Sequence, residues 1–230
     1  MMMPKAWEPV LDRLHERWRD PILTCLTILM VMHLFVVAPL ETEALHIQPI
    51  GAVFVVLLSV ALLILSRSLV PVIVIVVVVG LLATAVVVRM RGRDALDITL
   101  QASAWLLIAL VIIWIVGRAV FGPGRITYHR IVGAILLYLT IGLVFVALYT
   151  MVGAHSPGAF TGLNVIARVS LPSDLVYFSF TTLTTLGYGD IMPVHPMARS
   201  LTNIEAIIGQ VYPATLLARL VSLGEGQARG

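Results

Sequence analysis

The apolar run from Ile22 to Leu40 holds 19 residues with no Asp, Glu, Lys or Arg. Wound as an α-helix at 1.5 Å per residue, a run of that length crosses the roughly 30 Å hydrocarbon core of a bilayer. Five more apolar runs follow, at Ile50–Leu65, Pro71–Val88, Ile98–Val116, Ile131–Val152 and Met197–Leu223. The stretch Ile50–Val88 is 39 residues long and is interrupted by Ser66-Arg67-Ser68, so it reads as two helices in a hairpin. Val72–Val79 favours a strand by propensity, but an open strand in lipid leaves its backbone unpaired, so helix is expected there. With 60% hydrophobic and 12% charged residues, the chain cannot cover a water-facing globule with polar groups. A soluble domain, a disordered chain and a disulfide-stapled module are excluded. The expected class is an all-α membrane protein of six transmembrane helices. A net charge of +3 reflects scarce charge rather than a basic patch, so no nucleic acid partner is expected. The single cysteine, Cys25, precludes an intrachain disulfide.

The runs divide the chain into an interfacial segment (1–21), a four-helix domain (22–117), a linker (118–130), a fifth-to-sixth helix unit (131–223) and a short tail (224–230). If the N-terminus is cytoplasmic, ten Lys and Arg residues fall inside and five outside. Both termini are therefore expected in the cytoplasm of a bacterial inner membrane. Arg89, Arg91 and Arg93 run against that bias, with Asp94 and Asp97 as partial neutralisers.

Between the fifth and sixth runs, Pro172-Ser173-Asp174 has helix-start chemistry. About three turns of apolar and Thr-rich sequence follow, ending at Thr184-Thr185-Leu186-Gly187-Tyr188-Gly189-Asp190. That helix is too short to span, and irregular backbone at membrane depth is tolerated only where it is buried in protein or lines a water-filled path. A re-entrant half-helix is expected, with Gly153–Pro172 before it as a solvated turret.

Thr185-Leu186-Gly187-Tyr188-Gly189-Asp190 resembles the Thr-Val-Gly-Tyr-Gly-Asp selectivity filter of the tetrameric potassium channel family. The resemblance covers roughly residues 131–223, as outer helix, pore helix, filter and inner helix. It implies a homotetramer in lipid conducting K⁺, with no cofactor other than the permeant ion and no small-molecule substrate. A dehydrated K⁺ needs about eight oxygens, supplied by backbone carbonyls from four chains. The carbonyls of Thr185, Leu186, Gly187 and Tyr188 would hold the ion, and Gly187 and Gly189 would permit the backbone alternation. Thr184 would end the pore helix, whose negative end faces the cavity. Tyr188 would brace the filter and Asp190 would tether it. Tyr177-Phe178 stand where many members have Trp-Trp, so the Tyr177 hydroxyl becomes the candidate tether for Asp190.

In the sixth run Pro213 leaves the Gly209 carbonyl without its helical donor, so a kink coincides with the family's glycine hinge. Gln210, Ala214, Leu217 and Val221 would line the cavity. Glu205 lies one turn before Gly209, and a charged carboxylate at that depth costs at least about 2.5–3.5 kcal/mol. It is expected to pack behind the filter against hydroxyls, with Thr181, Thr182 and Tyr177 as candidates. Rival readings are a weakly selective cation channel, a non-conducting interaction subunit and a secondary transporter. The transporter would show paired broken helices, and only one broken segment is visible.

Ile98–Val116 contains no Arg or Lys, so the fourth helix carries no voltage-sensor pattern. One elementary charge crossing the field is worth about 2.3 kcal/mol per 100 mV, and this helix offers none within its span. Macroscopic currents are therefore expected to depend only weakly on voltage. A steep activation curve, equivalent to several charges per subunit, would show that Arg89–Arg93 enter the field.

Overall fold

The computed structural model describes residues 23–37, 70–92, 94–122, 128–163 and 171–228. The expected interfacial segment 1–21 and second apolar run at 50–65 lie outside them. Six helices are described: α1 (Leu23–Val36, closing in a π-helical turn at His33–Val37), α2 (Val70–Met90), α3 (Asp94–Phe121), α4 (Tyr128–His155), α5 (Leu171–Leu183) and α6 (Pro196–Ala228). Two short strands, β1 (Phe160–Thr161) and β2 (Met192–Pro193), pair antiparallel. Among the described residues α2, α3 and α4 are long and apolar enough to cross a membrane.

Several boundaries differ from expectation. Arg118 does not break the fourth helix, because its guanidinium lies 5.3 Å from the Trp114 ring centroid and α3 runs on to Phe121. The last helix is not confined to Met197–Leu223. It starts at Pro196, where a missing N–H costs nothing, and continues through Pro213 to Ala228, so the expected tail is largely helical.

The helices stack in sequence order: α2 on α3, α3 on α4, and α4 on both α5 and α6. Burial increases along that order, from the nearly bare α2 to the largely enclosed α4. One core joins Leu23, Leu26 and Met30 of α1 to Ile108 and Ile112 of α3, Leu136 of α4 and Leu183 of α5. His33 stacks on Trp105 at 5.9 Å. Phe35 meets Phe180 of α5 edge-on at 5.1 Å, so the first helix touches the short helix directly.

Two ionic features fix helix ends. At the α2–α3 turn, Arg89 Nε donates to Asp97 Oδ2 at 2.8 Å, and Gln101 Nε2 donates to Asp97 Oδ1 at 2.7 Å. Asp97 is buried there, which accounts for one of the three arginines that oppose the charge bias. At the other end of α3, Arg219 of α6 donates to the Phe121 and Gly122 carbonyls at 2.9 and 3.3 Å and covers the Phe121 ring. Arg130 donates to the same Gly122 carbonyl at 3.0 Å. Cations at a helix C-terminus are favoured by the helix dipole.

Asp97→Ala is expected to lower stability by about 1–3 kcal/mol, the scale of hydrogen bonds to charged groups. Asp97→Asn, which keeps an acceptor for Gln101, should lose less. Thermal unfolding in a mild detergent measures both, and a wild-type melt for Asp97→Ala would show that the pair contributes nothing.

Candidate functional site

The site is built around the C-terminus of α5. Thirteen residues rise about 20 Å, so this helix stops short of a bilayer's thickness. Its closing carbonyls would be orphaned at that end, and each finds a donor. Thr184 donates its N–H and hydroxyl to Phe180 O, at 3.1 and 2.6 Å. The amides of Leu186 and Gly187 both donate to Thr181 O, at 2.8 and 3.1 Å, and that of Thr185 to Thr182 O at 2.9 Å. The Tyr138 hydroxyl, from α4, donates to Leu183 O at 3.1 Å.

Those bonds set the direction of the loop's carbonyls. All described peptides are trans, and in a trans peptide the N–H and C=O point opposite ways. With the amides of Thr185, Leu186 and Gly187 turned back to α5, the carbonyls of Thr184, Thr185 and Leu186 point away from it. Alternation completes the geometry: φ is +58° at Thr185, +50° at Gly187 and +80° at Gly189. The glycines adopt this without a steric cost. Thr185 does not, and a β-branched residue held there stores roughly 1–3 kcal/mol. The Gln210 side-chain amide donates to the Thr185 hydroxyl at 2.9 Å and fixes that strained residue from α6.

Residues Thr184 to Asp190 are all exposed in the single chain, Tyr188 by 67%. Tyr188 stacks parallel on Tyr177, centroids 6.2 Å apart and planes 3° from coplanar. The Asp190 side chain lies near the Tyr177 hydroxyl. Phe178 points elsewhere, into a buried cluster with Tyr149 and Phe160. It is part of the core behind the helix rather than of a cuff around the loop.

Glu205 is fully buried, and its partners are not Thr181, Thr182 or Tyr177. The Thr181 hydroxyl donates to Phe178 O at 3.0 Å, and the carboxyl lies against Ser179 of α5 and Tyr149 of α4. The Tyr149 hydroxyl donates to Oε2 at 2.6 Å and the Ser179 hydroxyl to Oε1 at 2.5 Å. Ser179 Oγ also lies 2.9 Å from Gly142 O. One carboxyl thus joins α4, α5 and α6 behind the loop. Ser179 and Tyr149 were missed by sequence reasoning, although both are polar groups in strongly apolar surroundings.

Gly209 is buried where α6 crosses the end of α5, and a Cβ there would collide with Leu183 O. Close approach alone therefore requires glycine at this position. Pro213 lies inside an unbroken helix. Gln210, Ala214, Leu217 and Val221 are all exposed in the single chain.

The Gly153–Pro172 turret is not simply solvated. Ala159 and Phe160 are buried, and β1 holds the segment that follows the loop.

With this geometry in place, the comparisons with known proteins are direct. The family described as "Ion channel" matches residues 133–225, which take in α4, α5, the loop and most of α6. This segment is thus an ion-channel domain, similar in sequence to parts of known potassium channels. Protein LctB of Bacillus caldotenax is 34% identical over 87 residues, covering 36% of this chain and 64% of that protein. The inward rectifier potassium channel Kirbac3.1 of Paramagnetospirillum magnetotacticum is 32% identical over 79 residues, 33% of this chain and 23% of that one. Two pore potassium channel c of Oryza sativa subsp. japonica is 36% identical over 88 residues, 38% and 17% of the two chains. The matched segment thus spans under two thirds of each of these relatives. No solved structure matches the chain. The ion-channel domain and the apolar helices α2, α3 and α4 together point to an integral membrane protein.

Replacement at Glu205 separates its hydrogen bonds from its charge. In Glu205→Gln, the side-chain oxygen can accept from Tyr149 while the amide donates to Ser179, which donates on to Gly142 O. Glu205→Leu takes the acceptor from the buried Tyr149 hydroxyl at about 1–3 kcal/mol, and leaves Ser179 only Gly142 O. The Gln variant is expected to keep near-wild-type stability in detergent and the Leu variant to lose it. Equal behaviour of the two would refute the joint.

Proposed function

We propose that four copies of this chain assemble into a potassium-selective channel, with Thr185, Leu186, Gly187 and Tyr188 supplying the ion-coordinating carbonyls. The observation that carries the reading is the backbone of the loop, with three successive carbonyls turned away from α5 and φ positive at every second residue. A single loop offers one side of a coordination cage, and a cation stripped of water needs the other sides as well. The exposed loop and the exposed line Gln210, Ala214, Leu217 and Val221 supply one quadrant of such a pore. No resident cofactor enters this reading, since K⁺ is the cargo, and the surrounding partners are lipid and the other copies.

Asp190, beside Tyr177, and Gly189 keep the outer end of the filter, and Gln210 meets its inner end at Thr185. Glu205, Thr184 and Phe178 belong to the support behind it. Gating belongs to the turn Gly209–Pro213, where the proline removes the donor to the Gly209 carbonyl. Opening there bends α6 below the contact with Leu183 O, so the filter end of the helix stays in place while the far end moves. Both termini lie in the cytoplasm and the membrane is the bacterial plasma membrane.

Proteoliposomes carrying the purified protein are expected to pass K⁺ at least about a hundredfold faster than Na⁺, a difference of about 2.7 kcal/mol. Gly187→Ala, which puts a Cβ at φ +50°, should abolish that preference while the protein still assembles. Equal K⁺ and Na⁺ flux in the wild type would favour a weakly selective cation channel. A monomeric mass in lipid discs would overturn the four-fold pore.

A further inference from the structure

We propose that the segment 159–162, shortly after α4, is a positioning strap for the outer end of the filter, acting through Phe160 and Gly162. This rests on the channel reading above. Residues 190–195 leave the loop and turn into α6 with only one short strand of their own. Without outside partners their amides and carbonyls would be free to move, and the last filter carbonyls with them.

The strap supplies those partners at successive points. Phe160 opposes Pro193 and Thr161 opposes Met192 in the β1–β2 ladder. The pairing suits the sequence: Pro193 has no N–H, and its amide position needs no partner in the strap. Ala159 O accepts from both Val194 N and His195 N, at 2.8 and 3.1 Å. Gly162 has φ +83° and lies so close that a Cβ would collide with the Asp190 carbonyl oxygen. From the opposite side, Arg199 Nε donates to Pro193 O at 3.1 Å. The segment is thus clasped between strap and inner helix.

The strap is itself anchored in the core. Phe160 is only 4% exposed. Its ring meets Tyr149 edge-on at 5.6 Å and Phe178 at 5.4 Å. Tyr149 is the residue that donates to Glu205, so the anchor sits on the joint that binds α4, α5 and α6. A loop with no role beyond connection would have no reason to bury its one aromatic residue there and bring a glycine against the filter aspartate. The positions are also asymmetric. Thr161, between the two, is exposed, so the buried ring and the closest approach to the filter fall to Phe160 and Gly162.

The test uses the full-length protein in lipid, with two variants. Gly162→Ala forces a methyl group against Asp190 O. Phe160→Leu keeps the site apolar but removes the edge-on ring contacts, and serves if the alanine variant assembles poorly. Amide hydrogen exchange of residues 189–195 reads the strap without requiring conduction. K⁺ flux through proteoliposomes reads its consequence. Both variants are expected to exchange about tenfold faster over 189–195, with α4 unchanged. Their K⁺ flux should decay sooner, and raising K⁺, but not Na⁺, should restore it, because an ion bound only by the ordered filter favours that state. Unchanged exchange in both variants would overturn the proposal. Faster exchange with flux of wild-type duration, or a flux loss that K⁺ does not restore, would overturn it as well. Absence of K⁺ flux in the wild type would instead overturn the channel reading, and the exchange comparison would still decide whether the strap holds the segment.

Discussion

Everything at the site depends on where the amides after α5 go. Inside a bilayer no water satisfies a stray N–H, and each unmatched group costs several kcal/mol. The chain solves this by folding Thr185, Leu186 and Gly187 back onto the last turn of α5, two of them onto the single carbonyl of Thr181. That solution leaves the opposing carbonyls unmatched and aligned. The loop's polarity is a by-product of satisfying its donors, and a cation is the group that such a row of oxygens can accept.

The scaffold then has to hold the loop against its own strain. Thr185 occupies a conformation that threonine avoids, and Tyr188 stands well exposed. Support comes from three directions: Gln210 below, Tyr177 beside, and Glu205 with Ser179 and Tyr149 behind. Gly209 lets α6 approach Leu183 O closely enough for this to work. Hydrogen bonds of this kind are strong in a low-dielectric setting and costly when one partner is lost, so the support behaves as a unit.

Much of this was legible in the sequence. Six apolar runs, a helix too short to span, and Gly-Tyr-Gly after a Thr-rich stretch carry their physics in local spacing. The placement of Tyr177 beside Asp190 is what the family resemblance implies. Other features depend on contacts between segments far apart in the chain. Nothing near Ser179 or Tyr149 marks them as partners of Glu205, 26 and 56 residues away. A single phenylalanine in a loop rich in Gly, Ser and Pro gives no periodic signal, so Phe160 read as part of a solvated turret. Helix ends were misplaced where a charged side chain found cover, as Arg118 did on Trp114 and Asp97 did with Arg89. The φ of Thr185 had no signal at all, because a residue that disfavours a conformation cannot announce it.

The carboxyl joint also bears on how the protein is made. Helices enter a membrane in the order of their synthesis, and a helix with a bare carboxylate is a poor candidate for insertion. Tyr149 and Ser179 both precede Glu205 in the chain. When α6 leaves the ribosome, the hydroxyls that will receive its acid have already been made. The polar residue that makes the last helix hard to insert thereby becomes the one that matches it to its predecessors, and biogenesis in the reverse order would have no such template.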